Sequence, residues 1–134
     1  MEKENYKYSE LSEKIIGLAM KVHRKLGLGF PEVIYHRALL LEFEQINLPF
    51  ESEKEHPVFY EGKLIGKRRV DFLVDEKILI EIKATSILDN VHYNQIQNYL
   101  QAFNLEVGLL INFGNQSVQV KRFVNKNYKP PQSY

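Results

Sequence analysis

The stretch RRVDFLVDEKILIEIKA, Arg68 to Ala84, constrains the fold of this chain more than any other. Two runs rich in β-branched and aromatic residues flank Asp75-Glu76-Lys77, the pattern of two strands joined by a short turn. A turn at 75–77 sets Val74 opposite Ile78, Leu73 opposite Leu79, Phe72 opposite Ile80 and Asp71 opposite Glu81. Side chains alternate faces along a strand. Val70, Phe72, Val74, Ile78, Ile80 and Ile82 therefore line one wholly apolar face, which needs a cover. The other face carries Lys67, Arg69, Asp71, Leu73, Leu79, Glu81 and Lys83.

The simplest account of that second face is the wet side of a sheet. Leu73 and Leu79 argue that part of it is covered. Asp71 against Glu81 is also unfavourable, because like charges directly opposite across strands destabilise the pair. A cation between them reverses the sign. Two carboxylates and the intervening backbone carbonyl of Ile82 offer hard oxygens of the kind Mg²⁺ takes while keeping several waters. Lys83 projects from the same face, placed to orient a water or to neutralise charge developing on an attacked phosphate.

The rest of the chain supplies the cover. Leu11, Ile15, Leu18, Ala19, Val22 and Leu26 recur at helical spacing, with Ser9 as N-cap and Gly27 as stop. After GLGFP a second helix starts at Pro31 and runs to about NLP. Strand-like runs follow at HPVFY, IGKRRVDFLV and ILIEIKA. A third helix capped by Asp89 or Asn90 reaches about Asn104. Two more strands, VGLLINF and SVQVKRFV, precede an irregular tail from 125 to 134. The order is α-α-β-β-β-α-β-β. The third strand, third helix and fully apolar fourth strand form a right-handed parallel crossover, and the other strands pair as antiparallel hairpins. The expected fold is a mixed α/β domain spanning 1–134, a central mixed sheet flanked by helices.

Two helices place polar groups on otherwise apolar stripes. Glu32, Tyr35, His36, Leu39, Phe43 and Ile46 share a face at 100° per residue. The helix dipole explains a glutamate in a first turn but not its place on the buried stripe. A third carboxylate aimed at Asp71 and Glu81 explains both. His36, one turn on, fits a satisfied core or rim histidine better than a ligand. On the third helix Leu88, His92, Gln95, Ile96, Tyr99 and Phe103 share a face, and Gln95 needs hydrogen-bond partners there.

Composition narrows the classes. The chain has 134 residues, 44% hydrophobic and 26% charged, with net charge +1 and no cysteine, which excludes disulfides and cysteine-held zinc or iron–sulfur centres. No apolar run reaches membrane-span length and MEKENYKYSE is too polar for a secretory signal, so a cytoplasmic location without membrane contact is expected. Basic runs at Lys67-Arg68-Arg69 and from Lys121 and Arg122 to Lys129 are either solvated faces or phosphate contacts.

Gly29-Phe-Pro-Glu32-Val-Ile-Tyr35 carries a GxxExxY signature. From EKIIGLAMKVHRKLG through EIKA and QIQNYL to GLLINFG and VKRFVN, the chain resembles the GxxExxY proteins of the PD-(D/E)XK nuclease superfamily. The resemblance implies a restriction-endonuclease-like sheet and metal-dependent phosphodiester cleavage. By position, Asp71, Glu81 and Lys83 match the D…(D/E)xK residues, and Glu32 matches the acid of the first core helix. Gln95 and Tyr99 match the QxxxY element of the RecB-like branch. Asp71 follows Val70 where the motif name has a proline, and the iron–sulfur cluster of some members of that branch has no ligands here.

The reading is an Mg²⁺-dependent nuclease, with Mn²⁺ as substitute, acting on nucleic acid with DNA favoured. Glu32, Asp71, Glu81 and the Ile82 carbonyl hold the metal, Lys83 positions water or stabilises the transition state, and Gln95 and Tyr99 support them. Lys67, Arg69, Lys121 and Arg122 contact phosphates. The alternative is a non-catalytic nucleic-acid-binding or scaffold module on a nuclease-like fold. Ile16 and Met20 either offer a surface for a homodimer or pack under the second helix.

Overall fold

The computed structural model describes residues 7–132. Its elements run α1 (Ser9–Leu26), α2 (Glu32–Gln45), β1 (Phe50–Tyr60), β2 (Lys63–Val74), β3 (Ile78–Lys83), α3 (Asn90–Ala102), β4 (Val107–Asn112) and β5 (Gln119–Val124). The five strands form one sheet in the order β1-β2-β3-β4-β5, with β3 and β4 parallel and every other pair antiparallel. Phe72 pairs with Ile80, Leu73 with Leu79 and Val74 with Ile78, the register expected from the 75–77 turn. Helix starts differ in detail. Tyr8 rather than Ser9 precedes α1, in a left-handed conformation and with no side-chain cap. Asp89 caps α3 in a capping box with His92.

Two apolar layers hold the sheet. On one side Ile15, Ala19 and Val22 of α1 and Tyr35, Leu39 and Phe43 of α2 pack on Phe72, Val74, Ile78, Ile80, Ile82, Leu109 and Ile111. On the other, Ile96 and Leu100 of α3 pack on Leu73, Leu79 and Leu110. Full burial of each such side chain is worth about 1.5–3 kcal/mol. Leu100 lies outside the expected α3 stripe yet is fully buried. It fits because β4 offers Gly108, where an added Cβ would stand 3.1–3.3 Å from Ile96 and Leu100. Ile46 lies past the end of α2 and is exposed, contrary to its expected place on the buried face. Met20 is exposed and Ile16 half-covered.

Val70 departs from the expected pattern. It joins Leu73 and Ile96 on the α3 side, while Phe72 and Val74 pack against α1 and α2. Alternation breaks at Asp71. The β1–β2 ladder runs from Ser52↔Phe72 to Lys54↔Val70, and between them Glu53 takes a left-handed backbone, φ 57°. Faces before this point are therefore inverted relative to the sequence expectation.

Candidate active site

Strand β2 parts from β3 at Asp71. Beyond Phe72↔Ile80 no further pair joins the two strands, and side chains finish the ladder. The Asp71 N–H donates to Glu81 Oε2 at 2.8 Å, and the Ile82 N–H donates to Asp71 Oδ2 at 2.7 Å. The expected direct opposition of Asp71 and Glu81 is thus corrected: each carboxylate stands in for a backbone carbonyl, which satisfies two N–H groups left over by the parting strands. The two acids are brought together at this fork.

Burial makes the pair electrostatically tense. Glu81 is 4% exposed. Its carboxyl is pushed well above the ordinary glutamate range, first by loss of solvation and then by the charge of Asp71, against the Asp71 N–H bond and the Lys83 charge. Asp71 is held from the other side by α2. His36 Nδ1 lies 3.0 Å from Asp71 Oδ1, and His36 Nε2 lies 2.9 Å from the Ser52 hydroxyl. With Asp71 ionised, Nδ1 carries the proton and Nε2 accepts from Ser52. The imidazole also stacks on Phe72, centroids 4.3 Å apart. His36 is the site residue that periodicity alone assigned to packing. Its signal was the same as that of Glu32: a polar group on a buried stripe.

On the α3 side Lys83 Nζ donates to Gln95 Oε1 at 2.9 Å, and Gln95 Nε2 donates to the Tyr99 hydroxyl at 3.1 Å. Spacing of four residues puts Gln95 and Tyr99 on adjacent turns, so the amide bridges ammonium and phenol. Burial raises the Tyr99 phenol above its ordinary value, the charge of Glu81 adds to this, and the Gln95 bond opposes it. Glu32 opens α2 at the rim of the fork and is exposed. Its carboxyl is raised by loss of solvation, with Asp71 adding and Lys83 and His92 opposing, so it senses the same charges. Among the described residues, no set of three or more histidine and carboxylate side chains stands close enough to hold an ion. Asp71 and Glu81 form a half-site of hard oxygens, a donor set that fits magnesium or manganese completed by waters.

The loops that aim these groups are tied down by Tyr35 and Asn112. Tyr35 is buried, stacks on Phe113 at 4.7 Å, and donates its hydroxyl to the Gly27 carbonyl at 2.6 Å. That bond fastens the turn before α2, where Gly27 and Gly29 take φ values of 72° and 104° that suit glycine. Glu32 is carried by this turn. At the exit of β3, the Phe113 N–H donates to the Lys83 carbonyl. Asn112, fully buried, accepts from the Thr85 N–H at 2.9 Å and donates to the Thr85 carbonyl at 2.8 Å.

The basic residues are scattered. Lys67 pairs with Glu55 at 2.9 Å on the ribbon face turned away from α3. Arg69 shares that face, so neither lies along the Glu81 side as expected; the inversion at Asp71 is the cause. Arg68, on the α3 side, is the one whose charge reaches Tyr99. Lys121 lies 4.8 Å over the Tyr93 ring, whereas Arg122 donates to the Lys7 carbonyl at 3.0 Å.

The model of the PD-(D/E)XK nuclease superfamily matches residues 9–123. The chain belongs to this superfamily. Among solved structures, one described as "Crystal structure of SSO0001" is similar with a TM-score of 0.55 and 26% identity, over 69% of this chain and 48% of that one. The chain thus spans about half the length of that protein. No curated protein matches it. In this PD-(D/E)XK domain Asp71, Glu81 and Lys83 occupy the fork, and no helix among the described residues is long and apolar enough to cross a membrane.

Proposed function

We propose that this chain is a divalent-metal-dependent nuclease of the GxxExxY group, hydrolysing phosphodiester bonds with DNA as the favoured substrate. The observation that carries the reading is the fork. Two adjacent carboxylates, one of them buried, close a strand pair, and a lysine two residues on is held by Gln95 and Tyr99. The spacing of Gly29, Glu32 and Tyr35, each with a part in how α2 begins, supports the group assignment.

Asp71, Glu81 and the Ile82 carbonyl would hold Mg²⁺ or Mn²⁺, with Glu32 at the rim joining the set through water. The carbonyl leaves the strand on the same side as the N–H that meets Asp71. A bound ion supplies a Lewis acid and lowers the pKa of a water. His36 fixes the Asp71 carboxylate from behind, leaving it oriented for a ligand. Lys83 brings a positive charge to the phosphate that gains negative charge on attack. Gln95 and Tyr99 are positioning residues, because they hold the ammonium where it stands.

The test supplies Mg²⁺ or Mn²⁺ with single- and double-stranded DNA and RNA. Cleavage is expected with metal and lost in Asp71→Ala and in Lys83→Ala. Cleavage surviving both substitutions sinks the assignment. In a thermal melt, metal at a hundredfold excess over its dissociation constant stabilises wild type by about 2.7 kcal/mol and Asp71→Asn much less. Equal shifts favour a non-catalytic module.

A further inference from the structure

Helix α3 carries a third polar side chain on the face that holds Lys83. His92 lies one turn before Gln95, and Gln95 with Tyr99 holds the Lys83 ammonium. The link from Lys83, the last residue of β3, to Asn90, the first of α3, is short. The start of this helix therefore stays beside the strand end that bears the lysine. Glu32 stands on the other side, at the start of α2. His92 is within electrostatic reach of it and, with Lys83, opposes the rise of its carboxyl. The mouth of the site thus has a carboxylate on the α2 lip and an imidazole on the α3 lip.

The imidazole has one nitrogen committed and one to spare. The Asp89 N–H donates to His92 Nδ1 at 3.2 Å and closes the capping box of α3. A neutral ring that accepts at Nδ1 carries its hydrogen on Nε2. In the imidazolium Nδ1 faces Asp89 Oδ1, 3.3 Å away, and Nε2 keeps its hydrogen. Nε2 is therefore a donor whatever the charge, and among the described residues no hydrogen bond occupies it. The side chain is 22% exposed and its neighbour Val91 is 73% exposed, so a ligand can reach the ring from outside. The cap alone does not call for histidine, because glutamate or glutamine at the third helical position closes the same box. Histidine closes it and leaves a rigid N–H over. Beside an ammonium and across from carboxylates that suit a cation, the acceptor that fits this N–H is a phosphate oxygen.

We infer that His92 is a further substrate-binding residue of this site, donating Nε2–H to a non-bridging oxygen of the phosphodiester from the lip opposite Glu32. The inference rests on the nuclease reading and adds to it a residue that grips the phosphate beside Lys83.

The experiment compares the full chain with His92→Gln and His92→Glu. Both substitutions keep the capping box, so melting temperatures should stay within about 2 °C of wild type. Fluorescence anisotropy of a labelled single-stranded oligonucleotide and of its duplex, in EDTA, measures binding without metal. His92→Gln is expected to weaken binding of the strand state that wild type prefers by about tenfold, the effect of one lost hydrogen bond to a charged group. His92→Glu sets a negative charge beside the phosphate and is expected to weaken it about a hundredfold. With Mg²⁺ or Mn²⁺, kcat/KM is expected to fall by the same factors.

Unchanged affinity and unchanged kcat/KM in His92→Gln overturn the inference and leave the nuclease reading standing. A loss confined to His92→Glu does the same, because charge repulsion then accounts for it. A loss that tracks a lower melting temperature in both variants assigns His92 to the cap and also overturns the inference. His92-dependent binding without cleavage by wild type in any metal removes the nuclease reading and leaves the phosphate contact. Wild type that neither binds nor cleaves removes both.

Discussion

Gly114 sits where β4 leaves the sheet, and replacing it with alanine tests how tightly the exit of β3 is held. A Cβ at this position would stand 2.2 Å from the Thr85 carbonyl oxygen, 2.4 Å from its nitrogen and 2.6 Å from its carbonyl carbon. Ordinary contact begins near 3.5 Å, so the Thr85 backbone must retreat by about 1 Å. The effect is steric alone, because Gly114 lies outside the left-handed region. Neither side yields easily. Asn112 clamps Thr85 through both its N–H and its carbonyl, and also accepts from the Gly114 N–H at 3.0 Å. Overpacking costs about 1–3 kcal/mol, and two broken hydrogen bonds at about 1 kcal/mol each place Gly114→Ala at the upper end. Urea unfolding should read a loss of about 3 kcal/mol with an unchanged m-value, or roughly 10 °C in melting temperature. Lys83 is two residues from Thr85, and a 1 Å misplacement at a reacting centre costs about a hundredfold in rate. Metal-dependent cleavage should fall by that order. A variant within 0.5 kcal/mol of wild type would refute the reasoning, since the Thr85 segment would then be free to move.

Glu81 sets a pH dependence of stability. Its folded carboxyl titrates above the unfolded value of 4.5, so between the two values the unfolded chain has released a proton that the native state keeps. Stability of the metal-free protein should therefore fall as pH rises through that window. Glu81→Gln should flatten this dependence and raise the neutral-pH stability by about 1.5–3 kcal/mol, because its amide donates to Asp71; a steeper fall in the variant would contradict the account. His36→Gln should weaken Mn²⁺ binding by about 10–100-fold in calorimetric titration, well beyond any change in metal-free melting temperature. Gly17, inside α1 with nothing within 4 Å of an added Cβ, should accept alanine with a gain of about 1 kcal/mol in urea unfolding.

The order of elements and the Phe72–Ile80 register were legible because they depend on local signals: alternation, a polar turn at 75–77, and an all-apolar β4. Gln95 and Tyr99 were legible because their partnership lies within one helix. The fork was not. It depends on carboxylates replacing carbonyls in the ladder and on the left-handed Glu53 of a different strand. For the same reason the sides assigned to Val70, Lys67 and Arg69 came out inverted. His36 and Asn112 were illegible because their partners, Asp71 and Thr85, lie 35 and 27 residues away. A buried polar side chain announces that it needs a partner, and periodicity does not say which.

The two amides at the fork gain an unusual property. The N–H groups of Asp71 and Ile82 end on carboxylates, not on peptide carbonyls. Their protection against hydrogen exchange thus follows the charge of Asp71 and Glu81, while their neighbours in β3 follow the stability of the sheet. Protonating either acid loosens one amide without melting a strand. Occupation by a cation draws on the same oxygens and changes the same two exchange rates. These amides are built-in reporters of the site, readable without a substrate.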